Sequence, residues 1–166
     1  MTTQRFVFFV LLLAAAVQAV YYYPLMPMRM ASHFDAAGRA NGWMPKESFF
    51  LTYALVVTLM SALFTIMPKL IFKFPDSMIN LPNKCYWLAP ERREQTGEMI
   101  ERHMTTPGNL TIALLLCVFQ MAFRANLERD SRLSEFMPLL IGAFVVLMIA
   151  WSIRFIRAFR LPPDPA

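Results

Sequence analysis

The sequence predicts an all-α integral membrane bundle of four transmembrane helices, and three observations carry that prediction. Hydrophobic residues make up 57% of the 166-residue chain and the mean hydropathy is +0.45, above the roughly 45–50% apolar content usual in soluble domains. The excess is gathered into four runs, Phe6–Tyr22, Phe49–Met67, Pro107–Phe123 and Phe136–Ile153, each approaching the roughly 20 residues that an α-helix needs to cross a hydrocarbon core. The runs do not alternate polar with apolar residues, as barrel strands do, and lipid offers their amides no partner outside a helix.

The first run begins like a secretory signal, with Arg5 ahead of Phe6–Ala16 and the small-residue stretch Val17-Gln18-Ala19. The apolar character nevertheless continues through Val20 into Tyr21-Tyr22-Tyr23, an aromatic belt for a membrane interface, so retention as an anchor is expected. The second run is uninterrupted. The third is continuously apolar only over Leu110–Phe123; it is expected to span, with Thr106 as cap, Pro107 at the first helical position and a polar first turn at the interface. The fourth ends in Arg154, Arg157 and Arg160, long side chains suited to snorkelling toward anionic headgroups.

Basic residues set the expected orientation. The N-terminus, the 68–106 segment and the C-terminal tail hold Arg5, Lys69, Lys73, Lys84, Arg92, Arg93, Arg102, Arg154, Arg157 and Arg160. The 24–48 and 124–135 connections hold only Arg29, Arg39, Lys46, Arg124, Arg129 and Arg132. The excess places both termini in the cytoplasm and the 24–48 loop outside. Topology and anionic lipid thus account for the net charge of +5, and no nucleic-acid partner is expected. Cys85 and Cys117 fall in different environments and imply no disulfide framework.

The chain divides into a first helical hairpin (1–67), a membrane-surface segment (68–106) and a second hairpin with a basic tail (107–166). In the middle segment Pro68, Pro75, Pro82 and Pro90 argue against a continuous helix. Lys69, Lys73 and Lys84 interleave with Phe72, Phe74, Tyr86 and Trp87 as residues do in a headgroup layer. After Pro90, Glu91 and Glu94 favour a helix start, and Met99, Ile100 and Met104 form a thin stripe, which predicts a short cytosolic helix resting on the bundle.

The loop from 24 to 48 concentrates the chemistry. Pro24 and Pro27 end the first helix, and Met28, Met30 and Phe34 hint at a short strand or extended edge over 27–34. Asp35, Gly38, Asn41 and Gly42 supply turn residues, Trp43 and Pro45 bring the chain back, and Glu47 or Ser48 helps to start the second helix. Three roles are open to the loop. His33 and Asp35 can serve as turn residues, with Phe34 and Trp43 seating the loop at the interface. With Asn41 or Glu47 they offer part of a metal site, although a structural zinc takes about four ligands. Or the ordered aromatic turn recognises an external ligand, with an imidazole that makes binding pH-sensitive.

The arrangement of prolines, then His33-Phe34-Asp35, Gly38, Asn41, Trp43 and Lys46, resembles a small bacterial and archaeal membrane domain of unknown function. That domain forms the first part of SdpI-type bacteriocin immunity proteins. The likeness covers about residues 1–67, and "NLPNKCYWLAPERREQT" resembles the stretch that follows the domain in other members. It implies a helix, a short external loop and a second helix in a multi-pass prokaryotic cell-membrane protein. It also implies the immunity proteins' role of protecting the producer from an exported toxin, or of holding a repressor at the membrane. Those proteins have more spans than the four expected here.

The span interiors hold only Gln18, Gln120 and hydroxyl residues as polar groups, suited to helix-to-helix hydrogen bonds. A carrier usually places ionisable groups at mid-membrane, and catalysis needs a second convergent group. The expectation is therefore a binding protein, with no enzymatic activity, cofactor or resident metal. Its partners are membrane lipid and an exported peptide or membrane protein met by His33, Phe34, Asp35, Gly38, Asn41, Trp43 and Lys46. The alternative is an accessory or assembly subunit of a larger membrane complex.

Overall fold

A computed structural model describes residues 3–128 and 132–161. The chain folds as α1 (Thr3–Tyr22), β1 (Arg29–Phe34), β2 (Ala40–Pro45), α2 (Lys46–Leu70), α3 (Lys84–Trp87), α4 (Arg93–Leu127) and α5 (Met137–Ala158), with short 3-10 turns between. Four of these helices are long and apolar enough to cross a membrane. The architecture is an all-α membrane bundle that carries one small two-stranded sheet.

Helix α4 is the hub. α1, α2, α5 and β1 all pack on it, while α1 and α2 barely touch one another. This explains why its run is the least continuous of the four: a helix surrounded by protein need not be apolar all round, whereas α5, which has no buried residue, meets lipid on most sides. Gly108 allows a close approach, since a Cβ there would lie 2.9 Å from Cβ of Phe64 on α2, as small residues commonly do between membrane helices.

The helix expected after Pro90 and the third span are one element. α4 runs for 35 residues without a break at Thr106 or Pro107, about 52 Å, so it outreaches a hydrocarbon core of about 30 Å. Thr106 is not a cap; its hydroxyl donates to Gln4 Oε1 at 2.9 Å. Pro107 has no N–H for the carbonyl of His103, which ordinarily costs a helix about 3 kcal/mol. Here the indole Nε1 of Trp151 on α5 donates to that carbonyl at 2.9 Å, so a bond from a neighbouring helix replaces the missing one. Trp151→Phe is expected to destabilise the fold by about 1–3 kcal/mol by leaving the carbonyl unpaired. Thermal unfolding in detergent, compared with the doubly substituted Trp151→Phe/Pro107→Ala, checks it, because the restored backbone donor should recover most of the loss.

Pro68 likewise fails to end α2, which continues to Leu70. In a final turn it removes a single ladder bond, and the ring is buried. The segment that follows is also more deeply packed than its composition predicts. Ile79, Leu81, Trp87 and Leu88 join Ile100 and Phe159 in a buried cluster, so Trp87, expected among headgroups, is a core residue. Its indole and Asn83 Nδ2 both donate at 2.9 Å to the carbonyl of Phe159, satisfying an orphan acceptor just past the end of α5. Thr96, fully buried, donates to the Trp87 carbonyl at 2.7 Å. Gly97, which lowers helix propensity, admits the Phe72 ring against α4, for a Cβ there would sit 2.8 Å from it. This cluster ties α5 to the end of the bundle where α1 begins.

The sheet lies at the opposite end. β1 and β2 pair antiparallel, Arg29 opposite Pro45 at the base and Phe34 opposite Ala40 at the tip, with irregularities on either side of His33. The extended edge foreseen at 27–34 is thus half of a β-hairpin. Its partner, Ala-Asn-Gly-Trp-Met-Pro, reads locally as turn and return because Asn and Gly are poor strand residues.

Candidate functional site

The hairpin is seated by methionine and asparagine. Met30, fully buried, opposes Met44, and both join Met26, Tyr22, Phe49 and Phe123 beneath the sheet. The neighbouring backbone is clamped from α4: Asn126 Oδ1 accepts the Ala31 N–H at 2.6 Å, and Asn126 Nδ2 donates to the Ala31 carbonyl at 3.0 Å and to the Ala122 carbonyl at 2.9 Å. One amide thereby serves both edge groups of a residue only 1% exposed. At the base, the Lys46 N–H donates to the Met28 carbonyl, and the Lys46 ammonium lies 4.7 Å from the centroid of the Tyr23 ring, a cation–π contact.

Asp35 builds the tip. Its Oδ1 accepts the N–H groups of Ala37 at 2.9 Å and Arg39 at 2.8 Å, and its backbone N–H donates to the Arg39 carbonyl. Gly38 takes a left-handed φ of 74°, a conformation glycine reaches without strain. The Gly38 carbonyl accepts the Leu133 N–H at 2.8 Å, and Arg39 bridges to Arg132. The α4–α5 connection is therefore stitched to the hairpin turn.

The other predicted residues divide by exposure. His33, Asn41 and Trp43 are exposed, Trp43 by 49%, and neither the imidazole nor the Asn41 amide has a hydrogen-bond partner among the described residues. Gly42 gives His33 room, since a Cβ there would stand 2.9 Å from that of His33. Phe34 is half-buried at the tip. The expected seating role thus passes from Trp43 to Met30 and Met44: Trp43 opposes Ala31, one residue along from the methionine pair, and adjacent strand positions face opposite ways. Glu47 stands beyond the hairpin base, a strand length from Asp35, and among the described residues no three His, Cys, Asp or Glu side chains converge. Arg154, Arg157 and Arg160 are exposed at the other end of the bundle.

Beside the hairpin turn a groove of about 940 Å³ opens between α1, α4 and the connection that leads into α5. Its walls are mainly apolar, from Val17, Leu116, Met121 and Phe136, and its rim carries Arg124, Glu128 and Arg132. Into its wall is set a hydrogen-bonded polar group. Gln18 Nε2 donates to Gln120 Oε1 at 2.9 Å and to the Leu116 carbonyl at 3.1 Å, and Gln120 Nε2 donates to the Tyr22 hydroxyl. The Tyr53 hydroxyl lies 2.9 Å from the Ala15 carbonyl and 3.0 Å from Gln18 Oε1; its one proton serves one of them at a time. The two mid-span glutamines were visible in the sequence as helix-to-helix bonding groups. Their partner Tyr22 was not, because a tyrosine near an interface reads first as a belt residue; Tyr53 and Asn126 carry no local signal, since each bonds to residues far along the chain.

Residues 9–57 match the family model of a domain of unknown function, DUF1648. The matched stretch starts within α1, takes in the entire hairpin and ends partway along α2, so the domain likeness drawn from the loop pattern holds for this unit. No curated protein and no solved structure matches the chain.

Proposed function

We propose that this is a non-enzymatic multi-pass protein of a prokaryotic cell membrane, related to SdpI-type immunity and signalling proteins, with its termini in the cytoplasm. Its hairpin end faces outward and binds an exported peptide. The reading rests on one observation: a hairpin held rigid from below leaves His33, Asn41 and Trp43 exposed, and its turn is stitched to the rim of an open, largely apolar groove. An amphipathic peptide would lay apolar side chains into the groove and meet charge at Arg124, Glu128 and Arg132. Fixing the backbone beforehand lowers the ordering cost of such binding.

The experiment is photo-crosslinking in intact cells from a benzoylphenylalanine at position 36, exposed at the hairpin turn, in the parent and in the triple substitution His33→Ala, Asn41→Ala and Trp43→Ala. Exposed side chains contribute little to folding, so the triple variant is expected to keep its thermal midpoint. Capture of the crosslinked peptide should fall by about thirtyfold or more if Trp43 is a binding hot spot. Labelling of a cysteine at position 33 only from the cytoplasmic side would reject the proposal.

The second reading, a subunit of a larger membrane complex, is favoured by α5. Leu139 is 70% exposed and Val146 65%, and a Cβ at Gly142 would meet nothing within 4 Å, leaving room for another helix. A lone species after gentle detergent extraction argues against it.

A further inference from the structure

A second groove lies at the other end of the bundle, where α1 and α2 diverge. Above, the two helices are tied by Tyr53 and the Ala15 carbonyl; below, each packs on α4. The space between them is about 770 Å³. Phe8, Phe9 and Leu12 line one side, and Ala62 and Phe64 the other. Ser61 and Thr65, which also line it, turn their hydroxyls back to the carbonyls of Val57 and Ser61 at 2.6 and 2.7 Å, so their polar atoms are satisfied within α2.

Its length is informative. The lining residues of α2 run from Thr58 to Lys69, about 16 Å at the helical rise, close to half of a hydrocarbon core of about 30 Å. The groove therefore has the depth of one leaflet. It starts at charged residues and ends near the mid-span Tyr53–Ala15 tie. An empty slot between lipid-facing helices forfeits dispersion contacts on every wall, and a lipid tail has the shape to restore them.

The mouth specifies the headgroup. Its charged lining residues are Arg5, Glu101 and Lys69, and Arg5 donates to Glu101 at 3.4 Å. Lys69, exposed in the last turn of α2, has no ion pair among the described residues. One cation is thus matched by the one acid, and the second, Lys69, is left over. We infer that the α1–α2 groove is a binding site for one anionic diacyl phospholipid of the adjacent leaflet. Its tail lies between Phe9 and Ala62, and its singly charged phosphodiester meets Lys69 and the edge of Arg5.

The test uses the full-length protein in nanodiscs of phosphatidylcholine with a tail-brominated lipid at a fixed mole fraction, and Phe9→Trp as a fluorescent reporter. Subtracting the same protein without the reporter removes the signal of the three native tryptophans. Brominated phosphatidylglycerol is expected to occupy the site about fivefold more readily than brominated phosphatidylcholine, the preference that one lysine at a membrane surface provides. Lys69→Gln should abolish the preference, Lys69→Arg should keep it, and Ala62→Phe should fill the slot and reduce quenching by both lipids. All variants are compared at an unchanged thermal midpoint. Equal quenching by the two lipids, meaning annular contact only, overturns the inference, as does a preference that survives both Lys69→Gln and Ala62→Phe.

Discussion

Replacing Phe123 by Ala is expected to cost about 3–5 kcal/mol, the range for removing a large buried aromatic side chain. Phe123 is fully buried at the meeting of α1, α2 and α4. Its ring stacks on Tyr22 at 4.6 Å between centroids and on Phe50 at 5.3 Å, with Phe49, Tyr53 and Phe119 within 6.4 Å. In a bilayer the hydrophobic drive between helices is weak, so association rests on packing, and a void at this junction removes contacts from three helices together. Phe123→Leu, which refills part of the volume, should cost less than half as much. Thermal or chemical unfolding in detergent micelles measures both. If the two variants unfold alike and close to the parent, the aromatic cluster is not what joins the helices. Because Met26 and Met30 share this cluster, the Ala variant should also loosen the hairpin above it.

Asn126→Ala should act on the hairpin directly. It leaves the N–H and the carbonyl of Ala31 without partners at a position only 1% exposed, which corresponds to about 2–4 kcal/mol for two buried polar groups. Asn126→Asp makes an informative companion: a carboxylate still accepts the Ala31 N–H but has no donor for the carbonyl, so it should recover only part of the loss. Hydrogen exchange at the Ala31 amide is the most specific readout, and it should accelerate far more than exchange in the middle of α2. An exposed control, Asn41→Ala, should change neither stability nor exchange. Under the proposed function, Asn126→Ala should also weaken peptide capture although the clamp touches no ligand, since a loosened hairpin pays the ordering cost at the moment of binding.

The candidate site was legible in part. Asp35 and Gly38 sit in a turn for reasons present in their own chemistry: a short carboxylate that bonds nearby amides and a residue free to adopt positive φ. Trp43 and Met30 were harder to sort, because in a loop both read as apolar residues near an interface. Which of them faces the bundle depends on strand register, and register is set by a partner strand that its own composition does not announce. The groove beside the turn has no sequence signature, since its walls come from two helices far apart in the chain and from the connection that leads into α5.

What the sequence determined by itself was the environment and the span count. Four apolar runs, a polar turn flanked by prolines and an uneven distribution of Lys and Arg are local or additive properties, and the bilayer accepts long unpaired apolar segments only as helices. The tertiary structure alone decided which helix is central, that Pro107 is carried inside a helix, and that Trp87 is core. Each of these depends on a hydrogen bond or a packing surface supplied from far along the chain: Trp151 for the carbonyl that Pro107 leaves free, and Phe159 for Trp87. A residue's propensity describes what it prefers when alone, and these residues are not alone.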